Sequence, residues 1–517
     1  MKEDVKVGDI VLVIDFGGQY THLIARRIRQ LKVYSETRPF TISIDEIVKL
    51  RPKGIILSGG PRSVYTDNSP KVDKRIFDLG IPILGICYGH QLIAYMLGGK
   101  VIKSTGEYGK AILKIYDTED PLFKGLNEEE IVWMSHRDSV IELPGDFKVL
   151  ASTEITPIAA FKHKYKPIYG VQFHPEVVHT KNGLKMLSNF LFDICKCTPS
   201  WNPKDLIADL ISYIRRKVGP NERVLCAVSG GVDSTTTAVL VHRAIGDRLV
   251  AVFVDHGLLR KGEPEFVVKT LRNMGLNLIH INAKERFLSK LKGVSDPEEK
   301  RKIIGEEFIR IFEEIARKIP NLKWLAQGTI YPDVIESGRV GAGAARIKSH
   351  HNVGGLPERM NLKLLEPLKY FYKDEVREIA RALGIPDEIV RRHPFPGPGL
   401  AVRIIGEVTE EKLRIVREAS AIVEEELKRA GLYDKVWQAF AVVGDDKWVG
   451  VLGDERYVGY IVIVRIVESV DAMTADWVRV PYEVLDRISR RITREVEGVT
   501  MVTYAITSKP PSTIEPC

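Results

Sequence analysis

Short aliphatic runs recur along the chain, each closed by a glycine-rich or polar turn and followed by a stretch with helical spacing. In the first third, Ile10–Ile14 leads into Asp15-Phe-Gly-Gly, Gly54–Ser58 into Gly59-Gly60, and Ile81–Ile86 into Cys87. This rhythm predicts a parallel sheet with helices on its faces, and ligands of such sheets sit beyond the carboxyl ends of the strands. Val224–Val228, a helix-forming Thr236–Ala244 and Arg248–Val254 repeat the pattern as a βαβ unit. Asp296 and Pro297 open a further helix, as N-cap and first residue. Ile304, Phe308, Ile311, Phe312, Ile315 and Ile319 give that helix one apolar face.

Past residue 393 the pattern changes. A helix (410–430), a strand-like run (460–467), a helix from Tyr482 and a strand (500–506) predict a small α+β unit. Trp201-Asn-Pro203 and the proline–glycine stretch Arg391–Gly399 read as joints. The expected fold class is therefore α/β: two domains with mainly parallel sheets flanked by helices, residues 9–200 and 201–392, plus a small α+β C-terminal domain, residues 393–517.

Composition narrows the function classes. The 517 residues are 44% hydrophobic and 28% charged, ordinary for a globular protein. A formal net charge of +8 without a sustained Lys/Arg run gives no nucleic-acid footprint. No run approaches the ~20 apolar residues of a membrane span, and the N-terminus lacks the apolar centre of a signal peptide. Five cysteines, an odd and sparse set, argue against a disulfide framework and for a reducing compartment. Cys195-Lys-Cys197 has no matching second pair for zinc. The expected location is the cytoplasm, with neither a membrane nor a nucleic acid as partner.

Two turns carry chemistry. Ser229-Gly230-Gly231-Val232-Asp233-Ser234-Thr235 lies between an apolar run and a helix start. Its glycines let backbone approach a ligand, and the helix N-terminus offers N–H groups and a positive dipole end to an anion. Hydroxyls of Ser229, Ser234 and Thr235 add donors, so a phosphate chain is implied. The lysine of the common nucleotide loop is missing. Asp233 either helps a magnesium ion beside the phosphates or caps the helix. Asp255, after the next strand, carries the same two readings.

The second turn is Gly85-Ile-Cys87-Tyr88-Gly89-His-Gln91, which has the form of a nucleophile elbow with cysteine at the sharp point. A lone cysteine after a strand is usually a small buried hydrophobe. Downstream, however, Gln172-Phe-His174-Pro-Glu176 supplies the base and the orienting carboxylate that a thiol nucleophile needs. His174 and Glu176 are two apart, so on a strand they share a side.

These motifs carry resemblances. The first turn resembles the loop of ATP pyrophosphatases, which split ATP into AMP and pyrophosphate. The second, with His-Pro-Glu, resembles the class I glutamine amidotransferases. That resemblance implies that Cys87 attacks the glutamine amide, His174 moves the proton and Glu176 holds the imidazole. Gly59-Gly60 and the N–H of Tyr88 would form the oxyanion hole. Gln91 and the segment Ser135–Asp138 would line the glutamine pocket, with Arg137 standing where the family often has glycine. His136 is expected to be a loop histidine.

Further motifs narrow the family. They are Tyr331-Pro-Asp333-Val-Ile-Glu336-Ser, the Gly/Ala tract leading to Lys348-Ser-His-His, Arg392-His-Pro-Phe-Pro-Gly-Pro-Gly399, Asp471–Trp477 and Lys509–Glu515. Taken in order, the chain resembles the fused, glutamine-hydrolysing GMP synthases over essentially its whole length. The nearest competing class is another pyrophosphatase-type ligase such as NAD synthetase, against which the last motifs count. Residues that fit the family's pattern imply that Asp333, Glu336 and Lys348 belong to a lid serving adenylylation. Arg301, Lys509 and Glu515 would contact xanthosine monophosphate (XMP). Arg301 and Lys302 also read as a plain solvated face. The resemblance further implies XMP, ATP and glutamine as substrates, Mg2+ with ATP, no organic prosthetic group, and a homodimer through the C-terminal domain. Pro516-Cys517 replaces the family's usual Trp-Glu.

Overall fold

Strands form where aliphatic side chains cluster, and helices cover them. A computed structural model describes residues 7–334, 361–469 and 474–517; Glu336 and Lys348 of the expected lid lie outside the described residues. The chain divides into two compact units, Met1–Asn202 and Pro203–Cys517.

The first unit is built on a nine-stranded sheet. Its strands are β1 (Ile10–Asp15), β2 (Tyr34–Pro39), β3 (Gly54–Leu57), β4 (Ile83–Ile86), β5 (Lys100–Ile115), β6 (Glu129–Glu142), β7 (Phe147–Ser152), β8 (Ala160–His163) and β9 (Ile168–Val171). The order is β2-β1-β3-β4-β9-β8-β7-β5-β6. The first five run parallel, and the remaining pairs are antiparallel. Every residue of β3, β4 and β9 is buried, as continuous apolar runs in a sheet covered on both faces require. The helix Thr21–Gln30 turns Ile24, Ala25 and Ile28 inward. Each such buried isoleucine contributes about 1.5–3 kcal/mol.

The second unit opens with a parallel sheet. Its strands are β10 (Arg223–Ala227), β11 (Leu249–Asp255), β12 (Leu278–Asn282), β13 (Leu322–Ala326) and β14 (Lys363–Leu365), in the order β12-β11-β10-β13-β14. The chain therefore leaves β10 toward one edge and returns to its other side with β13. That reversal makes the carboxyl end of β10 a topological switch point, the usual ligand position of an open α/β sheet. Helix Pro297–Ala316 starts as its sequence predicts: the Asp296 carboxylate accepts from the Glu299 N–H at 2.8 Å, and Pro297 follows. Ile304, Phe308, Ile311 and Phe312 form its buried stripe.

The α+β part holds a long antiparallel hairpin, β15 (Gln438–Leu452) and β16 (Glu455–Glu468), with β17 (Asp476–Trp477) and β18 (Val499–Tyr504) also paired to β16. Helix Tyr482–Glu495 buries Val484, Ile488 and Ile492 at a spacing of four, a single stripe of an amphipathic helix. One core runs from Leu225 through Val423 to Val499 in this unit. Among the described residues, no helix is long and apolar enough to cross a membrane.

Candidate active site

In the first unit, three adjacent parallel strands bring their carboxyl ends together. β4 lies between β3 and β9, with Leu57 opposite Gly85 and Ile86 opposite Val171. The residues just beyond each strand therefore meet: Gly59-Gly60 after β3, Cys87 after β4, His174 after β9. Cys87 caps the helix Tyr88–Met96 with φ 52° and ψ −102°, a conformation that is costly for a side-chain-bearing residue. Its N–H is tied to Val171 O at 2.9 Å. Gly85 is obligatory here, since a Cβ would sit 2.5 Å from the Gly89 carbonyl carbon. Strand, helix and thiol are thereby held in the tight form of an elbow.

His174 Nδ1 lies 2.7 Å from Glu176 Oε1, both groups buried. They meet in a turn past β9, not along a strand, because Pro175 between them cannot continue the ladder. Tyr20 packs its edge on the imidazole at 5.1 Å, and the Thr180 hydroxyl donates to His174 O at 2.6 Å. Burial by itself favours the neutral ring. Glu176 and Cys87, on its two sides, outweigh that and raise the His174 pKa well above the usual histidine value. A Cβ on Gly59 would stand 3.3 Å from His174 Cε1 and 3.8 Å from Cys87 Cβ, so only glycine leaves room for a substrate atom there. Tyr88 is the first residue of its helix, where a backbone N–H has no intrahelical acceptor.

The other expected contacts lie next to this line. Gln91 is buried, and its amide nitrogen donates to Asp138 O at 2.7 Å and Gln172 Oε1 at 3.1 Å. The Asp138 carboxylate accepts from the Tyr65 hydroxyl at 3.1 Å. Ser135 O is 3.7 Å from Cys87 Sγ. His136 is not a loop residue. It alternates inward on β6, with Nδ1 2.9 Å from Asp138 O and Nε2 3.9 Å from Glu107 Oε2. Burial lowers its pKa. Arg137 points outward on the same strand.

In the second unit, the turn after β10 bounds a cavity of about 340 Å³. Ser229, Gly231, Asp233 and Ser234 line it, together with Gln327 and Lys373. Gly231 caps the helix Val232–Ile245 without a side-chain hydrogen bond, which leaves the first N–H groups facing the opening. Gly230 has φ +80°, and a Cβ there would lie 2.5 Å from Val267 Cγ2. Neither Gly230 nor Thr235 lines the cavity. Thr235 is fully buried; its N–H donates to Gly231 O at 3.1 Å, and its hydroxyl has no partner in the protein. Ser229 and Ser234 pair their hydroxyls at 3.1 Å.

A lysine absent from the loop arrives from elsewhere. Lys373, first residue of the helix Lys373–Ala382, ion-pairs with Asp233 Oδ2. Asp233 Oδ1 is buried without a protein partner. Gly328, just after β13, packs on the loop, where a Cβ would meet the Asp233 carbonyl carbon at 2.9 Å. Asp333 holds a turn by accepting from the Ile330 N–H at 3.0 Å. Asp255 accepts from the Gly257 N–H at 3.0 Å and pairs with Lys284 at 3.2 Å.

Of the remaining expected contacts, Arg301 donates to Cys517 O at 2.5 Å. Glu515 is clamped by Arg403, with two bonds of 3.1 Å. Lys509 bridges Ala475 through backbone, at 2.7 and 3.1 Å. The structure thus brings Arg301 to the chain segment that carries Glu515. Among the described residues, no group of three or more His, Cys, Asp or Glu side chains is set to hold a metal ion. All five cysteines are free.

A thiol at a strained, positive-φ helix cap beside a buried His–Glu pair defines an amidotransferase unit. Residues 12–194 match the glutamine amidotransferase class-I family, and residues 425–516 match the GMP synthase C-terminal domain. The chain is 60% identical over 507 residues to a glutamine-hydrolysing GMP synthase of Pyrobaculum aerophilum, covering 98% of this chain and 99% of that one. Enzymes of the same description from Caldanaerobacter subterraneus and Aquifex aeolicus are both 58% identical, with the same coverage. The chain belongs to the glutamine-hydrolysing GMP synthase family.

Proposed function

We propose that this chain aminates XMP to GMP, using ATP and the amide nitrogen of glutamine. The observation that carries the proposal is the coexistence in one chain of two sites. One is a Cys87–His174–Glu176 line; the other is a glycine loop with a lysine at a sheet's switch point.

In the first unit, residues 9–200, the Cys87 thiolate attacks the amide carbon of glutamine. His174 gives its proton to the departing ammonia, and Glu176 holds the ring in position. N–H groups of Gly60 and Tyr88 receive the oxyanion, and water releases glutamate from the thioester. Gln91 and Asp138 shape the wall that holds glutamine.

In residues 201–392, Ser229, Gly231, Val232 and Ser234 receive the phosphate chain of ATP at the helix N-terminus. The XMP C2 oxygen attacks the α-phosphorus and expels pyrophosphate. Ammonia then displaces AMP. Lys373 places a positive charge where the departing pyrophosphate gathers negative charge. Asp233 would help hold the magnesium ion that accompanies ATP, which would offset the negative charge of the phosphates. The free oxygen of Asp233, with phosphate oxygens, is a donor set that suits this hard cation. Asp333, Glu336 and Lys348 serve the same step, and no organic prosthetic group enters it.

Arg301, Lys509 and Glu515 recognise XMP, and residues 393–517 form the dimer contact. Trp448, Val449, Val451 and Val458, exposed on one hairpin, support that contact. Free thiols throughout support a reducing, cytoplasmic setting. The test is to supply XMP, ATP, Mg2+ and glutamine, follow the ultraviolet change of XMP and separate the adenine nucleotides. Loss of XMP with AMP and pyrophosphate as products is expected; ADP as product, or no use of XMP, overturns the proposal.

A further inference from the structure

Among the described residues, Arg403 is the largest side chain that is buried almost completely, at 1% exposure. Burying a guanidinium is costly unless each donor is matched. Its plane lies over Phe440 at 4.2 Å and Phe395 at 5.0 Å. Its Nε and one terminal nitrogen reach the two oxygens of Glu515, each at 3.1 Å. Gln438 adds a third donor to Glu515 Oε1 at 2.6 Å and anchors its other amide hydrogen on Pro394 O at 3.2 Å. A carboxylate offers about four acceptor positions. Three are occupied, and the fourth belongs to Oε2 of a side chain that keeps 16% exposure.

A second buried arginine acts on the same segment. Arg465 donates to Thr507 O at 2.6 Å and Thr513 O at 3.2 Å, pinning both ends of the loop that runs from Lys509 toward Glu515. The segment is therefore held by two buried arginines.

We propose that Arg403 is a positioning residue for the amination reaction: it fixes the Glu515 carboxylate, with one acceptor left over, in the orientation that takes a hydroxyl or N–H of the nucleotide. This rests on the reading of Glu515 as an XMP contact. Fixing the carboxylate beforehand lowers the ordering cost of binding, so the effect belongs in KM for XMP and not in turnover. Lysine would keep the buried charge and lose the two-pronged geometry, which a planar fork alone supplies.

The test compares wild type with Arg403→Lys and Arg403→Met in steady-state amination, with hydrogen exchange of the amides between residues 512 and 517. Loss of a charge-assisted pair predicts a rise in KM for XMP of roughly tenfold to a hundredfold for Arg403→Met. Arg403→Lys is expected to fall between Met and wild type. KM for ATP and kcat stay at wild-type values, and exchange at 512–517 quickens. Should the Met variant fail to fold, the Lys variant decides: a raised KM for XMP alone supports the proposal. Unchanged KM for XMP, or equal rises for ATP and XMP, overturns it. A wild-type chain that does not saturate with XMP would instead remove the reading of the site beneath it.

Discussion

Replacing Glu176 by glutamine keeps the shape of the buried side chain and removes one charge. In the native chain the His174–Glu176 bond is 2.7 Å long, with Glu176 fully buried. A hydrogen bond to a charged group of this kind is worth about 1.5–3 kcal/mol, which corresponds to roughly 10- to 150-fold in rate. The sign of the pH effect follows from the raised His174 pKa. Glu176 keeps the imidazolium intact to higher pH, so the basic limb of kcat/KM for glutamine should move to lower pH in Glu176→Gln. The same pair stabilises the fold fully below the unfolded histidine pKa, and that stabilisation fades as pH rises through the folded value. The stability gap between variant and wild type should therefore narrow toward alkaline pH. Glutamate release measured across pH gives the first result and denaturant titration at two pH values the second. A variant with wild-type glutaminase activity and an unmoved basic limb would refute the role of Glu176, as would an equal loss with ammonium as nitrogen donor.

Lys373→Gln should raise KM for ATP by about tenfold, the loss of one charge-assisted contact, while glutamate release stays unchanged; steady-state kinetics of both half-reactions check it. Gly230→Ala forces a positive φ on alanine and drives a methyl into Val267. It should cost about 1–3 kcal/mol of stability and suppress pyrophosphate release, read by denaturant midpoint and a pyrophosphate assay.

What the sequence disclosed was what is local. The elbow at Cys87 and the glycine loop at Ser229–Ser234 are each strand, turn and helix in direct succession, so neighbouring residue types suffice to define them. Lys373 was invisible because it comes from a helix far along the chain and meets Asp233 only through the sheet. Its one signal is its place at the first turn of an amphipathic helix. Arg403 has no local signal for the same reason, its partner lying over a hundred residues onward. His136 has the look of a loop histidine in sequence because the alternation of β6, with Val132, Met134, His136 and Asp138 inward, is masked by polar residues on the buried side. The antiparallel half of the first sheet escaped because β5 carries charges and two glycines, which disguise its period. In β15 the register shift between Val443 and Lys447 breaks the alternation that would have marked a strand.

In the proposed reaction one unit releases nitrogen and the other fixes it. The most direct measurement compares Cys87→Ala with wild type for GMP formation from XMP and ATP, once with glutamine and once with ammonium salts. The variant is expected to make no GMP from glutamine yet retain the wild-type rate with ammonium. Equal loss with both nitrogen donors, or continued use of glutamine, would contradict it.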